Sequence, residues 1–511
     1  MHTLFWFVIG YWIVSVGIGL WAATKVHNTK DFAVAGRHLP FYMVTATVFA
    51  TWFGSETVLG IPATFLKDGF KGVVADPFGS SLCLILVGLF FAAPLYRMNL
   101  LTIGDFYKKR FGRAVEVLTT VAIVLSYLGW VGAQITALGL VFNLLSGGEI
   151  SKVMGMCIGS GTILIYTFFG GMWAVAVTDF LQMIIICIGM LWIGGSVSGV
   201  VGGVGVVVDH ARAAGKFSFW PSLDLKEILG FTAAWITMML GSIPQQDVFQ
   251  RVQSSKTEKI AIWGSVLGGC LYFMFAFVPM FLVYSATLID PEMVKRLIDT
   301  DPQYILPTLV LTHTPLFAQV MFFGALLSAI KSCASATLLA PSVTFTENLI
   351  KPLLGPHPSD RKMLRTMRIV TVCFTIAVTL YAVNSKASIF KMVENAYQVT
   401  LVAAFIPLTF GLYWRRATNQ GAILAILCGL AVWLTLLRFG PEDPLMPAQM
   451  AGVIASFFGM IIGSLAPQLL PHDAGLHDRL RRGHLHPAQH EDKHGHEGHA
   501  HSEHAAGSQA R

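Results

Sequence analysis

The sequence predicts an all-helical (all-α) integral membrane protein, and its composition and its apolar segments carry that prediction. Hydrophobic residues make up 54% of the 511-residue chain, charged residues make up only 12%, and the mean hydropathy is +0.64. Soluble globular domains carry about 25% charged residues. Because backbone polar groups in lipid must be bonded within their own segment, we expect the apolar segments to cross the membrane as helices.

The apolar segments predict thirteen membrane spans, each close to the roughly 20 residues that a spanning helix needs. They lie near residues 3–24, 40–64, 75–96, 114–146, 152–171, 174–198, 228–247, 260–287, 315–350, 367–384, 388–413, 420–438 and 447–470. The first span is not preceded by the basic region that opens a secretory signal peptide, so we interpret it as a membrane helix. Residues 1–470 are therefore predicted to form one transmembrane domain.

The distribution of basic residues predicts the orientation of these spans. If the N-terminus lies outside, the inner loops hold 18 Lys and Arg residues, including Arg251 in the loop 251–259, and the outer loops hold 11. This bias places the N-terminus outside the cell's inner (plasma) membrane and the C-terminus in the cytoplasm. It also accounts for the net charge of +7 without a nucleic-acid partner. The one basic residue predicted inside a span is Lys331.

Residues 471–511 differ from the rest of the chain in composition. They are polar and hold ten of the sixteen histidines, including the stretch "HEDKHGHEGHAHSEH". Histidine-rich segments bind zinc, copper or nickel. We predict a disordered cytoplasmic tail with weak affinity for transition metals, and it is too short to form an enzyme domain.

Two predicted spans are interrupted at corresponding positions. The second reads "ATWFGSETVLGIP" and the seventh reads "MLGSIPQQDVFQR", and each combines Gly-Ser with a nearby proline. Transporters built from two inverted repeats bind substrate and ions at such interruptions. Glycine and proline are common in all membrane helices, so it is the matched position that indicates function. The two breaks lie five spans apart, which predicts two five-helix core repeats at about residues 40–198 and 228–413.

Several motifs then point to a family. "KDFAVAGRHLPF", "YKKRFGR", "YTFFGGMWAVAVTDFLQ", "IPQQDVFQRV" and "GLYWRRATNQGA" resemble the recurring motifs of the sodium:solute symporters. The resemblance runs from about residue 3 to residue 470, in order and at the family's spacing. "TATVFATWFGSE" and "IPQQDVFQRVQSSKTEK" are most similar to the high-affinity choline transporter-like branch. The resemblance implies thirteen helices, a five-plus-five inverted-repeat core of the leucine-transporter type, and alternating access.

The resemblance also implies a substrate pocket between the broken helices and the fourth span. Choline carriers of this branch surround a quaternary ammonium with aromatic rings, where cation–π attraction replaces hydration. Trp52 and Trp130 match two of these rings, whereas Ser80 and Gln245 stand where the branch has two more. The residues predicted to contact the solute are Trp52, Ser55, Glu56, Ser80, Trp130, Gln134 and Gln245. The solute implied is a small polar or cationic organic molecule.

Alternatives remain open for three of these residues. The two tryptophans either enclose the solute or pack as ordinary helix residues. Glu56 is either a buried gate residue or a residue of the outer aqueous vestibule. Its carboxylate, with the amides of Gln134 and Gln245, offers hydrogen bonds to a polar solute.

For the coupling ion, the resemblance implies a sodium site formed by backbone carbonyls and two neighbouring hydroxyls. The matching positions are Ala50, Phe53, Ala329, Ser332 and Cys333, with Asp179 at the position of a nearby family aspartate. A hard cation prefers oxygen ligands, so the thiol of Cys333 is a departure from the pattern.

Lys331 directly precedes this pair of positions. A charged side chain at the centre of a membrane costs about 2.5–3.5 kcal/mol on insertion scales. Its ammonium either takes the place of sodium, paired with Asp179 or with Glu56, or extends along its helix to the cytoplasmic side. In the first case transport is independent of sodium and coupled to protons. The coupling ion is thus Na⁺ or H⁺, and no other cofactor is expected.

These observations favour a secondary active transporter, a cation:solute symporter for a small organic solute. The alternative is a membrane sensor or scaffold that uses a degenerate transporter fold. A channel is disfavoured because no filter-type sequence is present. An enzyme is disfavoured because no nucleophile–base pair or metal-ligand set accompanies the predicted pocket.

Overall fold

A computed structural model describes residues 2–355 and 358–470 of the protein. Regular structure in these residues is helical, apart from one isolated parallel bridge between Leu39 and Ser255. The all-helical class predicted from composition is therefore confirmed. The histidine-rich tail predicted at residues 471–511 lies outside the described residues.

The helices follow the predicted spans closely. Those that overlap the predicted spans are His2–Ala22, Phe41–Trp52, Glu56–Gly60, Ile61–Asp68, Val74–Gly79, Ser80–Leu86, Val87–Phe91, Ala92–Arg97, Arg113–Leu145, Lys152–Val201, Leu225–Gly241, Gln246–Ser254, Glu258–Ile289, Leu316–Phe345, Thr346–Ile350, Asp360–Asn384, Ile389–Thr400, Leu401–Phe405, Ile406–Tyr413, Asn419–Phe439 and Ala448–Leu465. The connecting helices are Ala23–Lys25, Thr29–Val34, Ala35–Arg37, Gly69–Val73, Ile103–Phe111, Val204–Ala213, Pro291–Ile298, Pro302–Tyr304, Ile305–His313 and Lys351–Leu353.

Ten helices in the described part of the chain are long and apolar enough to cross a membrane, and the bent pair Leu225–Gly241 and Gln246–Ser254 makes eleven. Phe41–Trp52 and Lys152–Ile165 are apolar but shorter. The count of thirteen crossings therefore stays a prediction.

The segment Lys152–Val201 consists of two helices that meet at a sharp kink at Gly171, close to the predicted boundary between the fifth and sixth spans. Gly171 has φ 48°, in the left-handed region that disfavours residues with a Cβ. A Cβ at this position would lie 2.5 Å from the carbonyl oxygen of Phe32. Glycine is thus required both by the backbone conformation and by the close approach of the segment that leads into the second span.

Both predicted helix breaks are present. The second span ends its first helix at Trp52 and resumes at Glu56, with Phe53 in a non-helical conformation between them. The seventh span bends by 43° between Gly241 and Gln246. The broken spans bring interrupted backbone into the protein interior, which is the arrangement that membrane transporters use for binding sites.

One prediction about charge is wrong. Arg251 was expected in an inner loop, but it lies in the second half of the broken seventh span, with only 2% of its surface exposed. The hydropathy pattern placed the end of this span too early, because "QQDVFQR" is polar and resembles a loop. Lys331 is therefore not the only basic residue buried within a span.

Candidate functional site

The break in the second span releases backbone carbonyls that a continuous helix would use. The amide of Gly54 donates to the Trp52 carbonyl at 3.0 Å, and the amide of Ser55 donates to the side chain of Gln134 at 2.9 Å. In an unbroken α-helix these two amides would bond the carbonyls of Ala50 and Thr51. The carbonyls of Ala50, a predicted cation ligand, and of Thr51 therefore lose these helical hydrogen bonds.

Glu56 is held in the interior immediately after this break, and 2% of its surface is exposed. Trp130 Nε1 donates to Glu56 Oε1 at 3.2 Å, and Gln134 Nε2 donates to Glu56 Oε2 at 2.6 Å. Both donors come from the fourth span, as the predicted pocket required. In this conformation Glu56 is thus a buried residue beside the break rather than part of an open vestibule.

Aromatic rings cluster beside Glu56. The ring centroids of Trp52 and Trp130 are 5.4 Å apart, and each lies within about 6 Å of the ring of Tyr397, at 6.1 and 5.5 Å. The ring of Tyr127 stacks on Trp130 at 6.2 Å. Tyr397 was not predicted from the sequence, because it comes from the eleventh span, far along the chain, and lies outside every motif. The structure therefore brings together the two predicted tryptophans and adds the rings of Tyr397 and Tyr127.

Ser80 lies in a separate polar cluster next to the pocket. Its hydroxyl donates to Asp76, which also accepts a hydrogen bond from the hydroxyl of Tyr272 at 2.5 Å. Tyr272 in turn contacts the hydroxyl of Thr57 at 3.1 Å. The carboxylates of Asp76 and Glu56 interact electrostatically. Asp76 was not singled out from the sequence, since it lies outside every motif.

Gln245 stands at the break of the seventh span. Its Nε2 donates to the hydroxyls of Ser126, at 2.9 Å, and of Thr400, at 3.3 Å. These partners come from the fourth and eleventh spans. Gln245 consequently ties the second broken helix to the two spans that supply Trp130 and Tyr397.

Several buried hydroxyl groups at the breaks have no hydrogen-bond partner among the described residues. They are Ser55 Oγ, Ser242 Oγ and Tyr397 Oη. Gly241, beside Ser242, packs against the carbonyl of Tyr397. Leaving a buried polar group without a partner costs about 1–3 kcal/mol. A polar solute in this pocket would supply the missing partners.

Three residues of the predicted ion site, Ser332, Cys333 and Asp179, lie close to the second span. Gly54 packs against the ninth span so closely that a Cβ would lie 2.9 Å from Cys333 Sγ. The hydroxyl of Ser332 donates to Asp179 Oδ1 at 2.6 Å, and that of Thr47 donates to Asp179 Oδ2 at 2.5 Å. Asp179 thus links the ninth span to the second. The hydroxyl oxygen of Ser332 keeps lone pairs with which to accept a cation.

Arg251 completes this region from the seventh span. Its guanidinium donates to the Thr51 hydroxyl at 2.7 Å and to the carbonyl of Asp247 at 3.0 Å. It also interacts electrostatically with the carboxylate of Asp179. The side chain of Asp247 accepts a hydrogen bond from Tyr127 at 2.6 Å. A chain of polar contacts therefore joins the ion region to the aromatic cluster.

Lys331 is buried in a different place. Its ammonium donates to the hydroxyl of Ser15 at 2.5 Å and lies 5.8 Å from the ring centroid of Trp12, both on the first span. The Asp179 carboxylate, the partner expected for Lys331, accepts instead from Ser332 and Thr47. Lys331 and Ser332 are neighbours in sequence, but successive residues of a helix point about 100° apart.

Comparison with known proteins agrees with this architecture. Residues 32–429 match the model of the sodium:solute symporter family. The chain belongs to the sodium:solute symporter family. It is 28% identical to the high-affinity choline transporter 1 of Caenorhabditis elegans over 465 residues, which cover 85% of this chain and 77% of that transporter. It is 25% identical to the human high affinity choline transporter 1 over 449 residues, which cover 84% of this chain and 76% of the human protein.

The fold is also similar to a solved structure of a Na⁺-coupled sialic acid symporter. The TM-score is 0.78 at 19% sequence identity, over 92% of this chain and 99% of that one. The likeness confirms the predicted fold, a helical transporter of the leucine-transporter type with inverted repeats. As a member of this family, the protein is a secondary active cation:solute symporter and a multi-pass membrane protein, not an enzyme.

Proposed function

We propose that the transported solute is a small organic cation that carries at least one N–H group, such as a protonated amine. The observation that carries the proposal is the buried carboxylate of Glu56 beside the ring cluster of Trp52, Trp130 and Tyr397. Aromatic faces attract an ammonium by cation–π interaction, which is strongest when water is excluded. The carboxylate supplies the compensating charge that a buried cation needs.

The polar groups of the pocket favour N–H donors over a fully alkylated nitrogen. Relatives of the chain are named as choline transporters, and choline is a quaternary ammonium without an N–H. Here Ser80 and Gln245 occupy positions where the branch has aromatic residues. The buried hydroxyls of Ser55 and Ser242 have no hydrogen-bond partner among the described residues. Hydrogen-bonding groups left unpaired by a ligand weaken its binding. A protonated amine satisfies these groups, whereas a quaternary ammonium does not.

The solute class can be tested by screening the purified protein in a thermal-shift assay. A ligand that binds only the folded state raises the Tm. Primary and secondary amines should raise Tm more than their quaternary analogues, and carboxylates and sugars should have no effect. If sugars or carboxylates stabilise the protein and amines do not, the proposal is wrong.

Two substitutions test the roles of the charged and aromatic groups. Glu56→Gln removes the charge and should weaken amine binding about ten- to hundredfold, since hydrogen bonds to charged groups contribute about 1.5–3 kcal/mol. Trp52→Ala should cost about 1–2 kcal/mol, or roughly tenfold in Kd. The matched controls are Glu394→Gln and Trp263→Ala. The carboxylate of Glu394 pairs with Lys391, and the ring of Trp263 is exposed at the protein surface.

For energy coupling, we propose that the driving cation, Na⁺ or H⁺, is taken up at Asp179 and Ser332 together with the carbonyls of Ala50, Phe53 and Ala329. The short contacts between Ser332, Asp179 and Thr47 support this location. Uptake into proteoliposomes under a sodium gradient, and separately under a proton gradient, distinguishes the two ions. Uptake that responds to neither gradient would contradict the proposal.

We also propose that the N-terminus lies outside the plasma membrane and that the histidine-rich tail is cytoplasmic and binds transition metals weakly. The excess of basic residues in the predicted inner loops supports this orientation. A C-terminal reporter that is active only outside the cell should stay silent, and activity would overturn the topology. Zinc titration of the full chain and of a variant that ends at residue 470 measures the contribution of the tail.

A further inference from the structure

An apolar cavity of about 510 Å³ lies away from the substrate pocket. It is lined by the end of the segment Lys152–Val201, the helix Glu258–Ile289 and the short connecting helix Val204–Ala213. Phe65 and Phe70 close the side towards the second span. None of the rings or carboxylates of the substrate pocket lines it. Its volume falls in the range of small-molecule binding sites, about 300–1,000 Å³.

The cavity opens on an apolar outer surface of the protein. Two of its lining residues are large apolar residues exposed at that surface, Leu191 at 58% and Val204 at 53%. Between these two residues the cavity is open to the outside, because Gly194 and Gly195 have no side chain that would cover it. A Cβ at Gly195 would have no neighbour within 4 Å. A hydrocarbon chain can therefore enter sideways from the membrane.

Polar groups gather at one end of the cavity. His210, on the exposed face of the short helix, lies with Nδ1 3.0 Å from the hydroxyl of Tyr284, a lining residue. Lys216 donates to the carbonyls of Leu66 and Lys67 at 2.8 and 2.9 Å. A helix with an apolar face and a polar face beside the end of a span is typical of the membrane interface. The polar end thus lies where the headgroups of lipids begin.

We propose that an acyl chain of a membrane phospholipid occupies this cavity, with the headgroup beside His210 and Tyr284. The cavity is continuous with the lipid-facing surface of a membrane-embedded protein, so bilayer lipid is the apolar molecule that reaches it. Water is a poor occupant because an apolar wall offers it no hydrogen bonds. A filled cavity also gains the dispersion contacts that an empty one lacks.

The acyl chain would act on transport through the second span. Phe65 belongs to Ile61–Asp68, the half of that span beyond the break, and Phe277 belongs to the span that carries Tyr272. A chain packed between these rings holds the outer half of the broken helix against its neighbour. Alternating access requires one side of the binding site to rearrange, so the bound lipid sets how readily that half-helix moves.

The test uses a phosphatidylcholine that carries a photoreactive diazirine on one acyl chain, with the full-length protein in proteoliposomes. Illumination should label the peptides that contain Val207 and Phe281. Gly195→Trp fills the mouth of the cavity and should abolish this labelling. Gly199→Trp is the matched control, because Gly199 is on the same helix, also has open space around it, and does not line the cavity.

Two further measurements extend this labelling test. Solute uptake by Gly195→Trp should change in rate relative to Gly199→Trp while the solute Kd stays the same, since the substrate pocket is untouched. The same experiment with phosphatidylglycerol shows whether an anionic headgroup is preferred. The proposal is overturned if both tryptophan variants are still labelled in the peptides that contain Val207 and Phe281. It is also overturned if the unmodified protein is labelled only in peptides that do not line the cavity.

Discussion

Arg251 and Lys331, the two basic residues buried within the membrane-spanning helices that the structure describes, lie in contrasting surroundings. The guanidinium of Arg251 lies between the two broken spans, bonded to Thr51 and near the carboxylate of Asp179. The ammonium of Lys331 points to the first span, where it bonds Ser15. Both charges are costly to bury, but only the first lies between the two broken spans.

This contrast teaches that proximity along the chain is a poor guide to proximity in a helical protein. Lys331 directly precedes Ser332, yet the two side chains leave the helix in different directions. Arg251 is far from Ser332 in sequence, and the bend of the seventh span brings it to the same aspartate. The buried cation of the ion region is therefore Arg251, and the predictions below measure how far the two residues differ.

The largest effect is expected for Arg251→Leu. Removing one member of a set of buried charges costs about 3–5 kcal/mol, because the carboxylates of Asp179 and Asp247 lose their compensation. We expect lost uptake and a lower free energy of unfolding, measured by uptake assays and denaturant titration in detergent. Arg251→Lys should recover part of the stability but not the two-armed contact. Full uptake by Arg251→Leu would contradict the assignment.

Asp179→Asn should have the next largest effect. The side chain keeps its shape, but the lost charge should weaken binding of the coupling cation by about 1.5–3 kcal/mol, roughly ten- to hundredfold. The measurement is the half-maximal concentration of the stimulating ion in uptake. Binding of the amine, followed by Tm shift without an ion gradient, should change much less. An unchanged ion requirement would place the coupling site elsewhere.

Lys331→Met should be mild by comparison. Replacing a buried charge by an apolar residue of similar volume is often neutral or stabilising. We therefore expect uptake and ion dependence close to those of the unmodified protein, and a Tm that is equal or higher. A lost proton dependence in this variant would instead support a tethered cation at the ion site and would reverse the contrast with Arg251.

Cys333→Ser, alone and together with Lys331→Met, should give a smaller change still. The substitution restores a hydroxyl at a predicted ligand position, and a hard cation prefers oxygen to sulfur. Sodium stimulation of uptake should increase in the single variant, with little further gain in the double variant. If only the double variant responds to sodium, Lys331 interferes with the site.

The sequence predicted much of this architecture for definable reasons. Hydropathy located the spans because lipid imposes continuous apolar helices. The glycines, serines and prolines marked both breaks, and the motif resemblance selected Trp52 and Trp130, whose rings lie together in the structure. These features are local, so they can be read from short stretches.

The parts that were missed depend on tertiary contacts. Tyr397 and Asp76 lie outside any motif, and they reach the pocket through helix packing that no short stretch encodes. Arg251 was misplaced because a polar half-helix inside a protein resembles a loop. The side on which Lys331 leaves its helix depends on which span packs there, and the first span could not be positioned from sequence alone.

The close packing of Gly54 on Cys333 has a practical consequence for following the working cycle. The thiol is fully buried, and the glycine leaves no gap for a reagent. Any state in which the second and ninth spans separate uncovers the sulfur. A variant in which the other six cysteines are replaced leaves Cys333 as its one thiol. The rate at which a small maleimide reacts with Cys333 in that variant therefore measures how often the second and ninth spans separate.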